Sequence, residues 1–261
     1  MKKSIPCALT IAGSDSGGGA GIQADLKTFA AIGVHGASAL TCVTAQNPRA
    51  VRAIQAIRRE IVRDQILAVT EVLRPKAIKT GMLCSAPIIR MVERTAPPTA
   101  ILIVDPVMIS SSGARLLERN AVSALRKLIS RATLVTPNLH EAEFLLQREI
   151  RDPEELRQAA RDFHHMFACA ALLKGGHLAG TKTAIDFYYD GTTELMLEAE
   201  FIRGISSHGT GCTYSAAIAA YCALGMELPR AVMRAKEFIS QSIAQSYKTA
   251  GEFALNPFWR K

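Results

Sequence analysis

Short, almost wholly apolar segments alternate with amphipathic ones along nearly the whole chain, and this alternation limits the possible folds more than any other feature. Residues 8–12, 38–43, 77–79, 101–104, 133–136 and 170–173 read as strands, with 184–189 and 194–201 as a late pair around Asp190-Gly191. Residues 20–32, 60–73, 87–94, 116–130, 140–146, 153–167, 213–224 and 229–248 read as helices. Strands that are apolar on both faces need a sheet covered on both sides, and strands separated by helices join by right-handed crossovers. The expected fold is α/β, a doubly wound, mostly parallel sheet in a three-layer α/β/α sandwich. No internal repeat, low-complexity stretch or long linker divides the chain, so residues 1–261 are expected to form a single domain.

Hydrophobic residues make up 49% of the chain, enough for a large core, yet no apolar run is long enough to span a bilayer. The start Met1-Lys2-Lys3-Ser4 lacks the apolar stretch of a signal peptide, so a cytoplasmic location without membrane contact is expected. Cys7, Cys42, Cys84, Cys169, Cys212 and Cys222 form no C-x-x-C pair and have no histidine at ligand spacing, which argues for reduced thiols. The formal charge of +8 does not point to nucleic acid, because aromatic residues are only 6% and do not interleave with the basic ones. Arg58, Arg59 and Arg63, and Arg115, Arg119, Arg126, Lys127 and Arg131, read instead as solvated helix faces. A modest positive field also draws phosphorylated small molecules inward.

In a doubly wound fold, ligands gather at the carboxyl ends of the strands. There the chain carries Gly13-Ser14-Asp15 with Gly17-Gly18-Gly19-Ala20-Gly21, Asp105-Pro106, Pro137-Asn138 to Glu141, and Lys174-Gly175-Gly176-His177. Gly19 to Ala24 fits the dinucleotide pattern G-x-G-x-x-A, but no acidic residue follows between Thr41 and Pro48, and no glycine run is followed by G-K-[ST]. Ser207-His208-Gly209-Thr210-Gly211-Cys212-Thr213 leads into the alanine-rich run 214–224. Its glycines leave backbone N–H groups uncovered at a helix start, which suits a phosphate, and a thiol at that place has its pKa lowered. The same loop also reads as an ordinary helix start capped by Thr210 or Thr213, with Cys212 a small buried residue. Asn138 and Glu141 fit an N-cap with its partner three residues on. Asp105-Pro106 fits a turn, Lys174 a strand end, and His177 and His208 loop or capping positions.

Taken together, Thr10 to Asp15, Gly19 to Phe29, Thr44 to Asn47, Lys79 to Leu83, Asp105 to Met108, Thr136 to Ala142, Lys174 to His177 and His208 to Thr213 resemble the hydroxymethylpyrimidine and phosphomethylpyrimidine kinases of thiamine synthesis, within the ribokinase-like superfamily. The resemblance runs from about residue 8 to about 225. It implies transfer of the γ-phosphoryl group of ATP to the hydroxymethyl group of a 4-aminopyrimidine, and in some members a second transfer to the monophosphate. By the same resemblance Gly209, Thr210 and Gly211 form an anion hole, Asn138 and Glu141 organise Mg²⁺, and Lys174, Asp105 and Asn138 attend the nucleotide phosphates. Gly13, Asp25, Gln46, Met82 and Val107 recognise the pyrimidine. Cys212 stands where sugar-kinase relatives carry an aspartate base, with either a proton-accepting or a positional role. A homodimer is the family expectation. The C-terminus departs from the family: Gly251 to Trp259 stands in place of a glycine-rich tail with an Asn-His pair. Pyridoxal kinase, which shares the fold and a substrate of similar size, is the alternative within the same chemistry, and a non-catalytic ligand-binding descendant is the alternative outside it.

Overall fold

The computed structural model describes residues 4–260 apart from 110–112, 114, 115, 177, 179–181 and 203–207. Arg115, His177 and Ser207 therefore lie outside the described residues. In chain order the elements are β1 (Cys7–Asp15), α1 (Gly21–Ile32), β2 (His35–Asn47), β3 (Ala50–Ala56), α2 (Arg59–Val72), β4 (Ala77–Thr80), α3 (Ala86–Thr95), β5 (Ile101–Val104), a 3₁₀ turn (Arg119–Ala121), α4 (Val122–Ile129), β6 (Leu134–Val135), α5 (Leu139–Leu146), α6 (Pro153–Phe167), β7 (Ala170–Lys174), β8 (Thr183–Tyr189), β9 (Glu194–Glu200), α7 (Thr210–Ala223), α8 (Leu228–Ala244), β10 (Tyr247–Thr249) and β11 (Glu252–Ala254).

β1 to β9 form one sheet in the order β3-β2-β1-β4-β5-β6-β7-β8-β9. β2, β1, β4, β5, β6 and β7 run parallel. β3 is antiparallel at one edge, and β8 and β9 are antiparallel at the other. The central strands are buried on both faces because helices cover both, as their unbroken apolar runs require. On one face α2 to α6 bury Val62, Ile89, Leu128 and Phe163 against the sheet, and on the other α1, α7 and α8 bury Phe29, Ile218 and Phe238. α7 is buried at every position from Thr213 to Ala223. An alanine-rich helix fits there because small side chains let it pass closely between the sheet, α1 and α8. The expected three-layer sandwich is thus the one observed.

The chain reverses direction across the sheet at β1, which has β2 on one side and β4 on the other. Crevices at such a switch point open at the carboxyl ends of the strands, and this is where the glycine-rich segments lie. β4 carries a charge into this core: Lys79 is fully buried, with Nζ 2.9 Å from both Asp25 oxygens on α1. Thr10 Oγ1 on β1 donates to the same carboxylate at 2.6 Å. A buried pair with this much hydrogen bonding holds its neighbours in one arrangement, and removing one member costs about 3–5 kcal/mol.

Several element boundaries differ from expectation. The helix expected over 116–130 begins only at Arg119, because the preceding amides bond elsewhere: those of Leu116 and Leu117 donate to Met108 O, and that of Glu118 to Cys84 O. α7 starts at Thr210 instead of residue 213, since Gly209 takes φ +83° and turns the chain into the helix three residues early. α8 ends at Ala244 instead of 248, and the following residues fold into the β10–β11 hairpin across Ala250-Gly251, both at positive φ. β2 extends to Asn47 and pairs with β3, an edge strand whose side chains are mostly exposed.

Candidate active site

The carboxyl ends of β1, β2 and β5 to β7, together with the N-terminus of α7, surround a cavity of about 810 Å³. It is lined by Gln46, Val107 and Met108, by Asp105, Asn138, Glu141, Lys174 and the segment Gly209 to Cys212, and by Asp186, Tyr214, Lys236 and Ile239.

The anion-hole segment is built by two glycine loops packed backbone to backbone. A Cβ at Gly209 would lie 1.8 Å from Gly19 O, so no other residue fits. The same contact is tied by side chains: Asp15 accepts the N–H groups of Gly17, Gly19 and Ala20 and lies 3.0 Å from His208 Nε2. Burial works against the charge on Asp15, but His208 and these N–H donors hold its carboxyl below the ordinary value. The amides of Gly211 and Cys212, in the first turn of α7, have no carbonyl within the helix to bond, and the helix places partial positive charge there. A Cβ at Gly211 would lie 3.3 Å from Lys174 Nζ, so the bare backbone and the ammonium group face the same space.

Lys174 Nζ is 3.0 Å from Asp105 Oδ1, and Asp105 also accepts from Thr136 Oγ1 and from Ser215 Oγ on α7. Burial opposes the charge on Asp105, yet the Lys174 and Lys79 ammonium groups keep its carboxyl below the ordinary range. Glu141 behaves differently. Burial, with Asp105 nearby, pushes its pKa up to about 7 in spite of Lys174. Its Oε2 accepts from the Asn138 amide while Asn138 Oδ1 accepts from the Glu141 amide, a complete capping box at the start of α5. The helix-start reading of this pair is therefore realised, and both residues also line the cavity. Glu141 Oε1 has only a long 3.4 Å contact from the Met108 amide, which leaves it open to a ligand. A carboxylate whose charge is opposed first by burial and then by a neighbouring carboxylate could be relieved by a divalent cation. Among the described residues no three His, Cys, Asp or Glu side chains gather at one point.

The expectation of a lowered pKa at Cys212 is corrected by its surroundings. Burial pushes the thiol up to about 11; Lys79 and the Gly21 amide pull it down, while Asp25 and Asp105 push it further up. The helix terminus does not offset the loss of water.

The residues expected to recognise a pyrimidine fall in two layers. Gln46 and Val107 line the cavity. Gln46 is held by Ser16, whose Oγ bonds both its backbone N–H and its carbonyl, and Thr44 Oγ1 lies 3.2 Å from its Oε1 and 2.8 Å from Ser14 O. Gly13 and Met82 lie behind this surface, with a Cβ at Gly13 falling 2.6 Å from Cys42 Sγ and 3.4 Å from Met82 Sδ. Asp25 is wholly buried and engaged by Lys79 and Thr10.

Other charged groups at the cavity were not anticipated. Lys236 on α8 lies 2.7 Å from Asp186 Oδ2 and also donates to Ala184 O. The buried Tyr214 hydroxyl beside Asp186 makes no hydrogen bond of good geometry. One signal could have found this cluster: Asp186 is the lone charge inside an apolar strand, and Lys236 sits on the apolar face of its helix. Lys79 gives the same signal in β4.

Known proteins resemble this chain in sequence and in fold. A family model described as phosphomethylpyrimidine kinase matches residues 15–255. The hydroxymethylpyrimidine/phosphomethylpyrimidine kinase of Synechococcus elongatus is 46% identical over 244 residues, 93% of each chain. Among solved structures, phosphomethylpyrimidine kinase from Clostridium difficile aligns with a TM-score of 0.79 at 40% identity, covering 91% of this chain and 99% of the other. Pyridoxal kinase from Staphylococcus aureus in complex with AMP-PCP and pyridoxal aligns with a TM-score of 0.89 at 32% identity, covering 99% and 95%.

Proposed function

The chain belongs to the phosphomethylpyrimidine kinase family, and on that premise we propose that it transfers the γ-phosphoryl group of ATP to the hydroxymethyl oxygen of 4-amino-5-hydroxymethyl-2-methylpyrimidine, and then to the resulting monophosphate, in thiamine biosynthesis. One observation carries this reading: a single cavity is lined both by Gln46 and Val107, an amide and an apolar side chain suited to an aminopyrimidine, and by Gly209 to Cys212 and Lys174, whose amides and ammonium group suit phosphate. The alcohol oxygen attacks phosphorus, the bond to the bridging oxygen of ADP breaks, charge spreads over the equatorial oxygens, and the hydroxyl proton leaves late, through a phosphoryl oxygen to solvent. The amides of Gly209, Thr210 and Gly211 and the Lys174 ammonium stabilise that charge, while Asp105 holds Lys174 in place. Asn138 and Glu141 would hold Mg²⁺, which neutralises phosphate charge when bound. Gln46 offers its amide to the ring edge, with Val107 against the ring face and Met82, Gly13 and Asp25 setting the wall behind. Cys212 positions the hydroxyl. The whole chain acts as one domain, as a homodimer, in the cytoplasm.

Pyridoxal phosphorylation is the second reading, supported by the likeness to pyridoxal kinases. An ATP-consumption assay with the pyrimidine alcohol, its monophosphate and pyridoxal separates the two. The proposal expects turnover of both pyrimidines at far higher kcat/KM than pyridoxal; turnover of pyridoxal alone overturns it. Gln46→Leu should raise KM for the pyrimidine alcohol roughly 5- to 150-fold, the effect of leaving polar groups unpaired in a dry pocket, with KM for ATP little changed. An effect confined to ATP would remove Gln46 from the pyrimidine subsite.

A further inference from the structure

Beneath the proposed pyrimidine subsite, three sulfur atoms meet in an otherwise apolar space. Cys42 Sγ on β2 lies 3.8 Å from Met82 Sδ in the turn after β4, and the Cys84 thiol interacts with the Cys42 thiol. All three side chains are buried and, with Leu116, form a small cluster apart from the two main cores. Val107 packs against this cluster, and both Val107 and Leu116 line the cavity, so the sulfurs lie one side chain away from it. Gly13 leaves room above Cys42 that any side chain would fill.

The backbone around the sulfurs is pinned. Thr41 Oγ1 donates to Met82 O at 2.6 Å, the Gly81 amide to Ile11 O, and the Glu118 amide to Cys84 O. Cys84 itself sits at φ +63°, in the left-handed region that a residue with a Cβ seldom adopts. Strain of this kind persists only where surrounding structure enforces it, and it gathers at ligand clamps and switch regions.

We propose that Cys42, Met82 and Cys84 form a binding site for a soft monovalent metal ion, Cu(I). Thiolate and thioether donors select this ion, whereas Mg²⁺ or Ca²⁺ would need oxygen donors. Metal–sulfur bonds of about 2.3 Å place the sulfurs of a trigonal set about 4 Å apart, close to the separation between Cys42 and Met82. Charge also balances: as the ion enters, one thiol releases its proton to solvent, so one thiolate neutralises one positive charge and no net charge is buried. No electron is transferred. On the reading given under Proposed function, Gly13 and Met82 back the pyrimidine subsite, so Cu(I) should compete with the alcohol and not with ATP.

The test titrates the intact protein, under ascorbate, with Cu(I) buffered by bicinchoninate, and reads loss of the chelate's visible absorbance. One Cu(I) per chain is expected. Cys42→Ser and Cys84→Ser should each weaken it by more than about 100-fold, beyond the range for losing a group that only orients a ligand, and Cys212→Ser should leave it intact. Failure of the wild type to take Cu(I) from the chelator overturns the proposal, as does loss of binding in Cys212→Ser with retention in Cys42→Ser. Should either serine variant fail to fold, thiol alkylation of the wild type mapped by mass spectrometry decides: Cu(I) must protect Cys42 and Cys84 together. These readouts do not depend on turnover, so a wrong substrate assignment leaves them unchanged. Competition kinetics then report whether the sulfurs lie behind the pyrimidine.

Discussion

Cys212 lies in the first turn of α7, where the helix favours a thiolate, yet burial pushes its pKa up to about 11. At pH 7 only about one thiol in 10⁴ is then ionised. A loose phosphoryl-transfer transition state places little demand on early deprotonation, so the thiol serves best as a shaped, uncharged contact for the hydroxyl. Cys212→Ala should lower kcat by about tenfold or less, below the range for losing a general base, and leave the shape of the pH–rate profile unchanged. A wild-type rate that climbs about tenfold per pH unit up to pH 10, and a flat profile in Cys212→Ala, would restore the base. At this scale the gathering of the glycines, Asn138, Glu141, Lys174 and Asp105 at strand ends was legible, but type and spacing also fitted caps and turns, and it was the family resemblance that gave each residue a role. The sequence did not expose the Asp15–His208 or Asp186–Lys236 pairs, whose members are separated by 193 and 50 residues and meet only when strands and helices close around them. It misjudged the Cys212 thiol because a local rule about helix termini says nothing of the water removed by α1, β4 and β5.

At the scale of elements, α5 joins local stability to the site through a single carboxyl group. Glu141 completes the capping box of α5 and faces Asp105 in the cavity, with its pKa raised from an ordinary 4.5 to about 7. The folded chain therefore holds this proton more tightly than the unfolded chain does. That contribution is fully present below about pH 4.5 and is lost as pH rises through about 7; it amounts to on the order of 3 kcal/mol, or less where other groups adjust. Glu141→Gln keeps an oxygen for the Asn138 amide and carries no charge. In urea denaturation without ATP, the variant and wild type should be similarly stable at pH 5, and the variant should be more stable at pH 8. Parallel stability profiles from pH 5 to 8 would show that the carboxyl group does not hold its proton in the fold. Elements were legible where periodicity and burial agreed, as in α6, whose bounds match expectation, and in β5, a run of four apolar residues. β3 was missed because AVRAIQA mixes apolar and polar residues without alternation and lies at an edge where most of its side chains stay exposed. It is held by pairing with β2 and by the turn in which Asn47 Oδ1 accepts the amides of Arg49 and Ala50. The lost first turn of the helix expected at 116 has the same kind of cause, since distant carbonyls at Met108 and Cys84 take its amides.

Across the whole molecule, 31 basic and 23 acidic residues leave a formal charge of +8. Much of this charge lies on exposed faces such as that of α2, where Arg58, Arg59 and Arg63 are solvated. The field of such a surface reaches about 10 Å at 0.1 M salt and about 30 Å at 0.01 M. It attracts anions on their way to the cavity and has no hold on neutral molecules. The proposed reactions contain their own control, because the alcohol is neutral whereas ATP and the pyrimidine monophosphate are anions. Raising salt from about 10 to 200 mM should lower kcat/KM for ATP several-fold, toward the low end of the roughly 10- to 10³-fold range for electrostatic steering. kcat/KM for the monophosphate should fall in the same direction. For the alcohol, measured at saturating ATP, it should stay nearly constant. The three slopes are read from steady-state kinetics at fixed pH with a weakly binding salt. If the alcohol loses as much as the anions do, salt acts on the fold or on the site itself, and the net charge takes no part in capture. If neither anion responds, the positive charge lies too far from the cavity mouth to matter, and the solvated arginine faces serve only the surface they cover.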